Sequence, residues 1–323
     1  MAREIYIISG FLGAGKTTLI QKLLRETFQD KKVALIENDF GEISIDASLM
    51  RSGGVEVKEI NSGCICCSLS GDFVKALREL LTRYEPDIII IEPSGVGKLS
   101  DIVKACSDPA CLSIAAVKSA ITVVDVKRCK MYLENFGEFF EDQIKHATTV
   151  LFSRISDCPE KIDAAVELIE DLNENAVIIT KPWSEMTATE ILQPVLHPHD
   201  HEEHCCCGHH DHSHSHDHCH SHDHDEDSCG CDHSAEDVFD TVTVRTNQIF
   251  SMDELNTLVK KMENTKGTIL RAKGIVRSIN GYINLQYLPG DIRITDCAVS
   301  GDILNIIGNN LDKQELSRII NGE

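Results

Sequence analysis

The chain has 323 residues, 42% of them hydrophobic and 5% aromatic, and a formal net charge of -21. That length suits two domains with a sizeable core, and so acidic a balance argues against a nucleic-acid partner, whose phosphates need a basic face. The apolar runs, such as Ile88 to Ile91, are far too short to span a bilayer, and no apolar leader precedes the motif that begins at Gly10, so a cytoplasmic protein away from the membrane is expected. In a reducing compartment, its fourteen cysteines are more often metal ligands than bridges.

In chain order, Glu4 to Ile8 predicts a buried strand feeding the glycines that follow. Thr17 to Glu26 predicts a helix with Leu19, Ile20, Leu23 and Leu24 on one face. Val33 to Ile36 predicts a strand, Asp72 to Arg83 a helix, and Asp87 to Ile91 a continuous apolar strand of the kind buried in a parallel sheet. Ile121 to Val124, Val150 to Phe152 and Val177 to Ile179 predict further strands, with a helix over Ile162 to Leu172. Alternating strands and helices imply a doubly wound α/β domain with a mainly parallel sheet over residues 1–190.

From residue 191 to 237 the composition changes. Fourteen of the fifteen histidines lie between His197 and His233, with six cysteines, and His199 to Asp237 carries twelve acids and no Lys or Arg. Such a stretch cannot bury a core, so a disordered His/Cys/Asp-rich linker that collects divalent ions is expected. In residues 238–323, strands are predicted over Phe239 to Val244, Thr268 to Ile279, Tyr282 to Leu288 and Ile292 to Cys297. Asn280-Gly281 marks a hairpin, and helices are predicted over Met252 to Met262 and Leu311 to Ile320. Together these describe a smaller α+β domain.

Gly10-Phe11-Leu12-Gly13-Ala14-Gly15-Lys16-Thr17 fits the pattern G-x-x-x-x-G-K-[ST] of a phosphate-binding loop. Gly10, Gly13, Ala14 and Gly15 let the backbone wrap an anion, and the helix that follows adds its positive end. Lys16 is expected to neutralise the β- and γ-phosphates, and the Thr17 hydroxyl to ligate Mg²⁺. Glu92 ends the apolar strand beside this loop, where it can hold Mg²⁺ through water or orient the attacking water, and Gly95 can offer its N–H to the γ-phosphate. Cys64, Cys66 and Cys67 pack three thiols into four residues ahead of a helix, a soft ligand set suited to zinc.

Four motifs together resemble CobW-type P-loop GTPases, relatives of the nickel-insertion GTPases of urease and hydrogenase maturation. They are GFLGAGKTT (Gly10 to Thr18), ENDFGE (Glu37 to Glu42), GCICC (Gly63 to Cys67) and EPSG (Glu92 to Gly95). Further agreement lies in Gln143-Ile144 before Ala147, Leu172-Asn173 before Ala176, and Arg271-Ala272-Lys273-Gly274, which looks like the family's C-terminal domain. The resemblance implies a GTP-hydrolysing metallochaperone. It would bind GTP, GDP and Mg²⁺, carry a transition metal, zinc before nickel or cobalt, on Cys64, Cys66 and Cys67, and deliver it to a client metalloprotein. It also implies that Glu37, Asp39 and Glu42 form an acidic switch that adds oxygen ligands or touches Mg²⁺, and it leaves a homodimer open.

One departure concerns the base. Where such GTPases carry Asn-Lys-x-Asp, this chain reads Ser153-Arg154-Ile155-Ser156-Asp157. Arg154 can stack its stem on a base, but the guanine-reading acid is replaced by Ser156 or displaced to Asp157, so GTP and ATP both stand as substrates. Two other readings remain: a metal store built on the histidine tract, and a nickel or cobalt insertase serving one enzyme.

Overall fold

In the computed structural model, which describes residues 3–37, 56–59, 70–193 and 235–322, the apolar runs of the first half pair into one sheet. Its strands are β1 (Arg3–Gly10), β2 (Val33–Glu37), β3 (Glu56–Glu59), β4 (Ile88–Glu92), β5 (Ala115–Asp125), β6 (Thr149–Ser153) and β7 (Val177–Ile179). They lie in the order β3-β2-β4-β1-β5-β6-β7, and each described pairing is parallel. Strand β4 shows why its sequence is continuously apolar. Ile89 and Ile91 pack with Ile5, Ile7 and Ile36 on one face, while Ile88 and Ile90 pack with Tyr6, Ile8 and Leu35 on the other. Neither face meets water, and each isoleucine so buried contributes about 2 kcal/mol.

Helices cover both faces. The face with Ile88 and Ile90 receives α1 (Lys16–Glu26), through Leu19, Ile20 and Leu23, and later α6 (Ala188–Leu192). The opposite face receives α2 (Ser70–Glu79), α3 (Leu99–Cys106), α4 (Cys129–Lys145) and α5 (Ile162–Leu172). The α2 segment starts ahead of its predicted range and continues as a π-helical turn, Leu80–Tyr84, that stops where Glu85 turns left-handed. Neither α3 nor α4 has a counterpart among the predicted elements. Within α4 the apolar stripe is interrupted at Phe136, whose backbone is non-helical.

The second sheet comprises β8 (Asp240–Arg245), β9 (Thr268–Ser278), β10 (Gly281–Leu288), β11 (Asp291–Cys297) and β12 (Ile303–Asn309), in the order β11-β10-β9-β12-β8 with antiparallel pairings. The expected hairpin forms, but its two-residue turn is Ile279-Asn280, one position ahead of the predicted Asn280-Gly281, and Gly281, at φ 133, opens β10 opposite Ser278. Helices α7 (Met252–Met262) and α8 (Lys313–Asn321) bury Leu255, Val259 and Leu316 against one face. Strand β12 is absent from the predicted elements although it occupies the interior of the sheet. The fold class is the expected one: a doubly wound parallel α/β sheet followed by an α+β unit.

The two sheets share apolar packing. Phe239, Leu270 and Ile307 join the core that contains Phe139 and Tyr132 of α4, and the Phe239 ring lies 5.2 Å from that of Phe139 and 5.3 Å from that of Phe136.

Candidate functional site

Strand β1 is the switch point of the parallel sheet, with β4 on one side and β5 on the other. Ligands of open α/β sheets bind beyond the carboxyl ends of the strands at such a point. The loop after β1 holds the predicted phosphate-binding residues. Gly10, at φ 138, leaves no room for a side chain, because a Cβ there would overlap the Val123 carbonyl of β5. Phe11 is anchored against the Tyr132 ring, with centroids 4.4 Å apart, and the Tyr132 hydroxyl donates to the Leu12 carbonyl at 3.3 Å. Burial pushes that phenol well above its ordinary pKa, so it remains a donor.

Lys16 is buried, and its ammonium donates to the Gly10 carbonyl at 3.0 Å and to Phe11's at 3.4 Å. Thr17 Oγ1 donates to Glu92 Oε1 at 3.2 Å. Glu92 ends β4 at the register position of Glu37, the last residue of β2, and both carboxylates are buried. A hydroxyl and carboxylates gathered at one edge, beside a phosphate loop, form the hard-oxygen donor set that Mg²⁺ takes. The turn after Glu92 is held from below. Gln143, fully buried in α4, donates from Nε2 to the carbonyls of Gly95 at 3.2 Å and Gly97 at 2.8 Å.

Beside the loop is a cavity of about 320 Å³. One wall is Gly13, Ala14, Gly15 and Thr18; another is the segment 153–157; a third is Pro182, Trp183 and Ser184; and Arg293 of β11 reaches it from the second sheet. Ser156 and Asp157, the two candidates for a base-reading group, both line it. The chain's single tryptophan, Trp183, donates its indole N–H to the Phe152 carbonyl at 2.8 Å. Sequence reasoning passed over Trp183 and Arg293. For Trp183 a signal existed, since it stands just after the last parallel strand, at the ligand-binding edge.

Arg154 takes a left-handed backbone conformation, φ 58, and its guanidinium is firmly engaged. It reaches Asp125 Oδ2 at 3.3 Å, Asp291 Oδ2 at 2.9 Å and the Gly13 carbonyl at 3.3 Å. The expectation of an arginine stem available to a base therefore becomes a side chain that lines the cavity while its head ties two sheets and the phosphate loop together. Asp125 also holds Arg128 at 2.7 Å, and Arg128 donates to the Pro289 carbonyl at 3.0 Å. Against the upward push of burial, the charges of Arg293 and Arg154 hold the Asp291 carboxyl below its ordinary pKa. Gly13, at φ 67, is where Leu288 lies, and a Cβ at Gly13 would overlap that side chain.

Asp39, Glu42, Cys64, Cys66, Cys67 and the tract 197–233 lie outside the described residues. Among the described residues there is no group of three or more His, Cys, Asp or Glu arranged to hold a metal, and no helix long and apolar enough to cross a membrane.

A family model described as the CobW/HypB/UreG nucleotide-binding domain matches residues 4–180. A protein named zinc chaperone CobW, from Sinorhizobium sp, is 31% identical over 193 residues, which are 58% of this chain and 48% of the relative. Zinc chaperone YeiR from Escherichia coli (strain K12) is 32% identical over 148 residues, 46% of this chain and 45% of the relative. Zinc-regulated GTPase metalloprotein activator 1 from Dictyostelium discoideum is 32% identical over 162 residues, 45% of this chain and 34% of the relative. The chain thus spans about half or less of the length of these curated relatives.

Proposed function

The chain belongs to the CobW/HypB/UreG family, and from that premise we propose that it is a GTP-hydrolysing metallochaperone that couples its nucleotide state to the transfer of a transition metal, zinc, to a client protein. The observation that carries the nucleotide half is the convergence of Lys16, Thr17 and Glu92 at the switch point of the sheet. In this reading Lys16 leaves its two loop carbonyls for the β- and γ-phosphates, and the loop amides of residues 10–18 close round the anion. Thr17 and Glu92 would hold Mg²⁺, which supplies neutralisation of the charge on the phosphates. Glu92 orients the attacking water, and the Gly95 N–H, steadied by Gln143, meets the γ-phosphate. Asp157 on the cavity wall supports guanine, whose ring N1–H and exocyclic amino group are both donors that one carboxylate can accept.

The metal is cargo. Thiolates of Cys64, Cys66 and Cys67 form the soft set that zinc prefers, with Glu37, Asp39 and Glu42 as the acidic segment between them and the phosphate loop. Glu37 supports that link, because it ends the strand next to Glu92. Binding of nucleotide and of metal must then change each other's affinity by the same factor.

The test is a chelator competition for zinc on a variant lacking residues 197–233, in the presence of a Mg·GTP analogue, Mg·GDP, a Mg·ATP analogue or no nucleotide. The expected result is a shift of about tenfold or more in zinc affinity with the GTP state, abolished by Cys66→Ala. A shift with ATP alone would keep the mechanism and overturn the base. No shift with any nucleotide would sink the chaperone reading and favour metal storage.

A further inference from the structure

The nucleotide cavity is not walled by the first sheet alone. Its remaining wall comes from β11, more than a hundred residues beyond the last P-loop-domain strand, through Arg293. The turn that presents this arginine is fixed to the nucleotide domain at three places: Leu288 on Gly13, the Pro289 carbonyl on Arg128, and Asp291 on Arg154. All three attachments fall on the phosphate loop or on residues beyond the ends of β5 and β6.

At this turn the guanidiniums of Arg128, Arg154 and Arg293 meet the carboxylates of Asp125 and Asp291, and Asp157 is a further acid on the cavity wall. Asp125 and Asp291 supply two carboxylates, and both are already committed at short range. Asp125 is held by Arg128 at 2.7 Å and Asp291 by Arg154 at 2.9 Å. Arg293 is the third guanidinium. Its approaches to Asp291 are long, 3.4 and 3.5 Å, and its side chain is 64% exposed. An exposed guanidinium on the cavity wall, tied to Asp291 only by long contacts, keeps N–H donors that an anionic ligand can take.

We propose that Arg293 is a nucleotide-binding residue supplied by the C-terminal sheet, so that a bound nucleoside diphosphate is held by both halves of the chain. This rests on the reading of the phosphate loop as a nucleotide site and adds a contact to it. A second consequence follows from the same geometry. Because Arg293 and Asp291 share β11 with the Arg154 ion pair, nucleotide occupancy is felt directly by the β10–β11 hairpin, without passing through the acidic switch or the cysteines.

The experiment is calorimetric titration of the full chain with Mg·GDP, alongside thermal melting with and without GDP. Arg293→Ala is expected to weaken GDP binding about tenfold, the scale of one exposed charge-assisted contact. Arg293→Lys should recover part of that loss, and Arg245→Ala, an exposed arginine paired with Asp302 on β8, should change nothing. The melting temperature of Arg293→Ala without nucleotide should match the unaltered chain, while its rise on adding GDP shrinks. Repeating the titration with guanosine separates the modes: a loss confined to GDP places the contact on the phosphates, and a loss with both places it on the nucleoside. Arg293→Ala binding GDP as tightly as the unaltered chain would overturn the inference and leave the proposed function standing. A failure of the unaltered chain to bind any nucleotide would overturn both.

Discussion

Thr17 and Glu92 are seventy-five positions apart, yet their side chains share a hydrogen bond of 3.2 Å at the mouth of the phosphate loop. Glu92→Gln keeps the shape of that side chain and removes its charge. Hydrolysis of GTP by the variant is expected to fall about a hundredfold, with GDP affinity changed far less. Single-turnover rates beside equilibrium titration measure the split, and an unchanged rate would remove Glu92 from the reaction. Both residues were legible because each rests on a short-range rule: a spacing of glycines and lysine for one, an acid at the end of an apolar strand for the other. Trp183 and Arg293 follow no such spacing. Arg293 reaches the cavity only through the docking of a second sheet, which local periodicity does not encode. Arg154 was legible as a residue of the site, but the carboxylates that hold its head, Asp125 and Asp291, were not.

At the scale of elements, strands buried on both faces read clearly, as the unbroken isoleucines of β4 illustrate. The helices α3 and α4 did not, since α4 carries a non-helical residue in the middle of its apolar stripe. Strand β12 was missed for another reason: its polar Asn305 is buried at the centre of the run, bonded to Thr243 of β8 at 3.2 Å, so its pattern makes sense only once its neighbour is in place. Capping gives a testable case. Helix α7 begins with a reciprocal box in which Ser251 and Glu254 satisfy each other's backbone N–H groups, and backbone then side-chain hydrogen bonding from Ser251 lowers the Glu254 pKa. A carboxylate with a lowered folded-state pKa contributes stability above its unfolded pKa and loses it as the pH falls through the folded value. Ser251→Ala should therefore lower the melting temperature at neutral pH by about 3 °C. That deficit should narrow as Glu254 is protonated on acidification. A pH-independent deficit, followed by calorimetry, would deny Glu254 its part in the cap.

At the scale of the whole molecule, the two sheets are joined by more than apolar contact. Asp125 is almost completely buried between Arg128 and Arg154, and those arginines in turn hold Pro289 and Asp291 of the second sheet. Removing one partner of a buried ionic group leaves the others uncompensated, so Asp125→Ala should cost about 3–5 kcal/mol in denaturant unfolding. Amide exchange should rise in β10 and β11 as well as at the ends of β5 and β6. Exchange that quickens on the β5 side alone would show that the cluster serves one sheet and does not bind the two.

The position of that joint along the chain has a consequence for the protein's birth. A ribosome delivers the phosphate loop, β4 and Trp183 first, and Arg293 follows 110 positions later by residue number. At about 5–20 residues per second, the interval is about 5 to 20 s. During that time the nascent nucleotide domain can form its parallel sheet while Arg128 and Arg154 still await the turn that engages them. The cavity lacks its last wall until Arg293 has been made, so an anion that entered before then would meet only the residues of the first sheet and its loops.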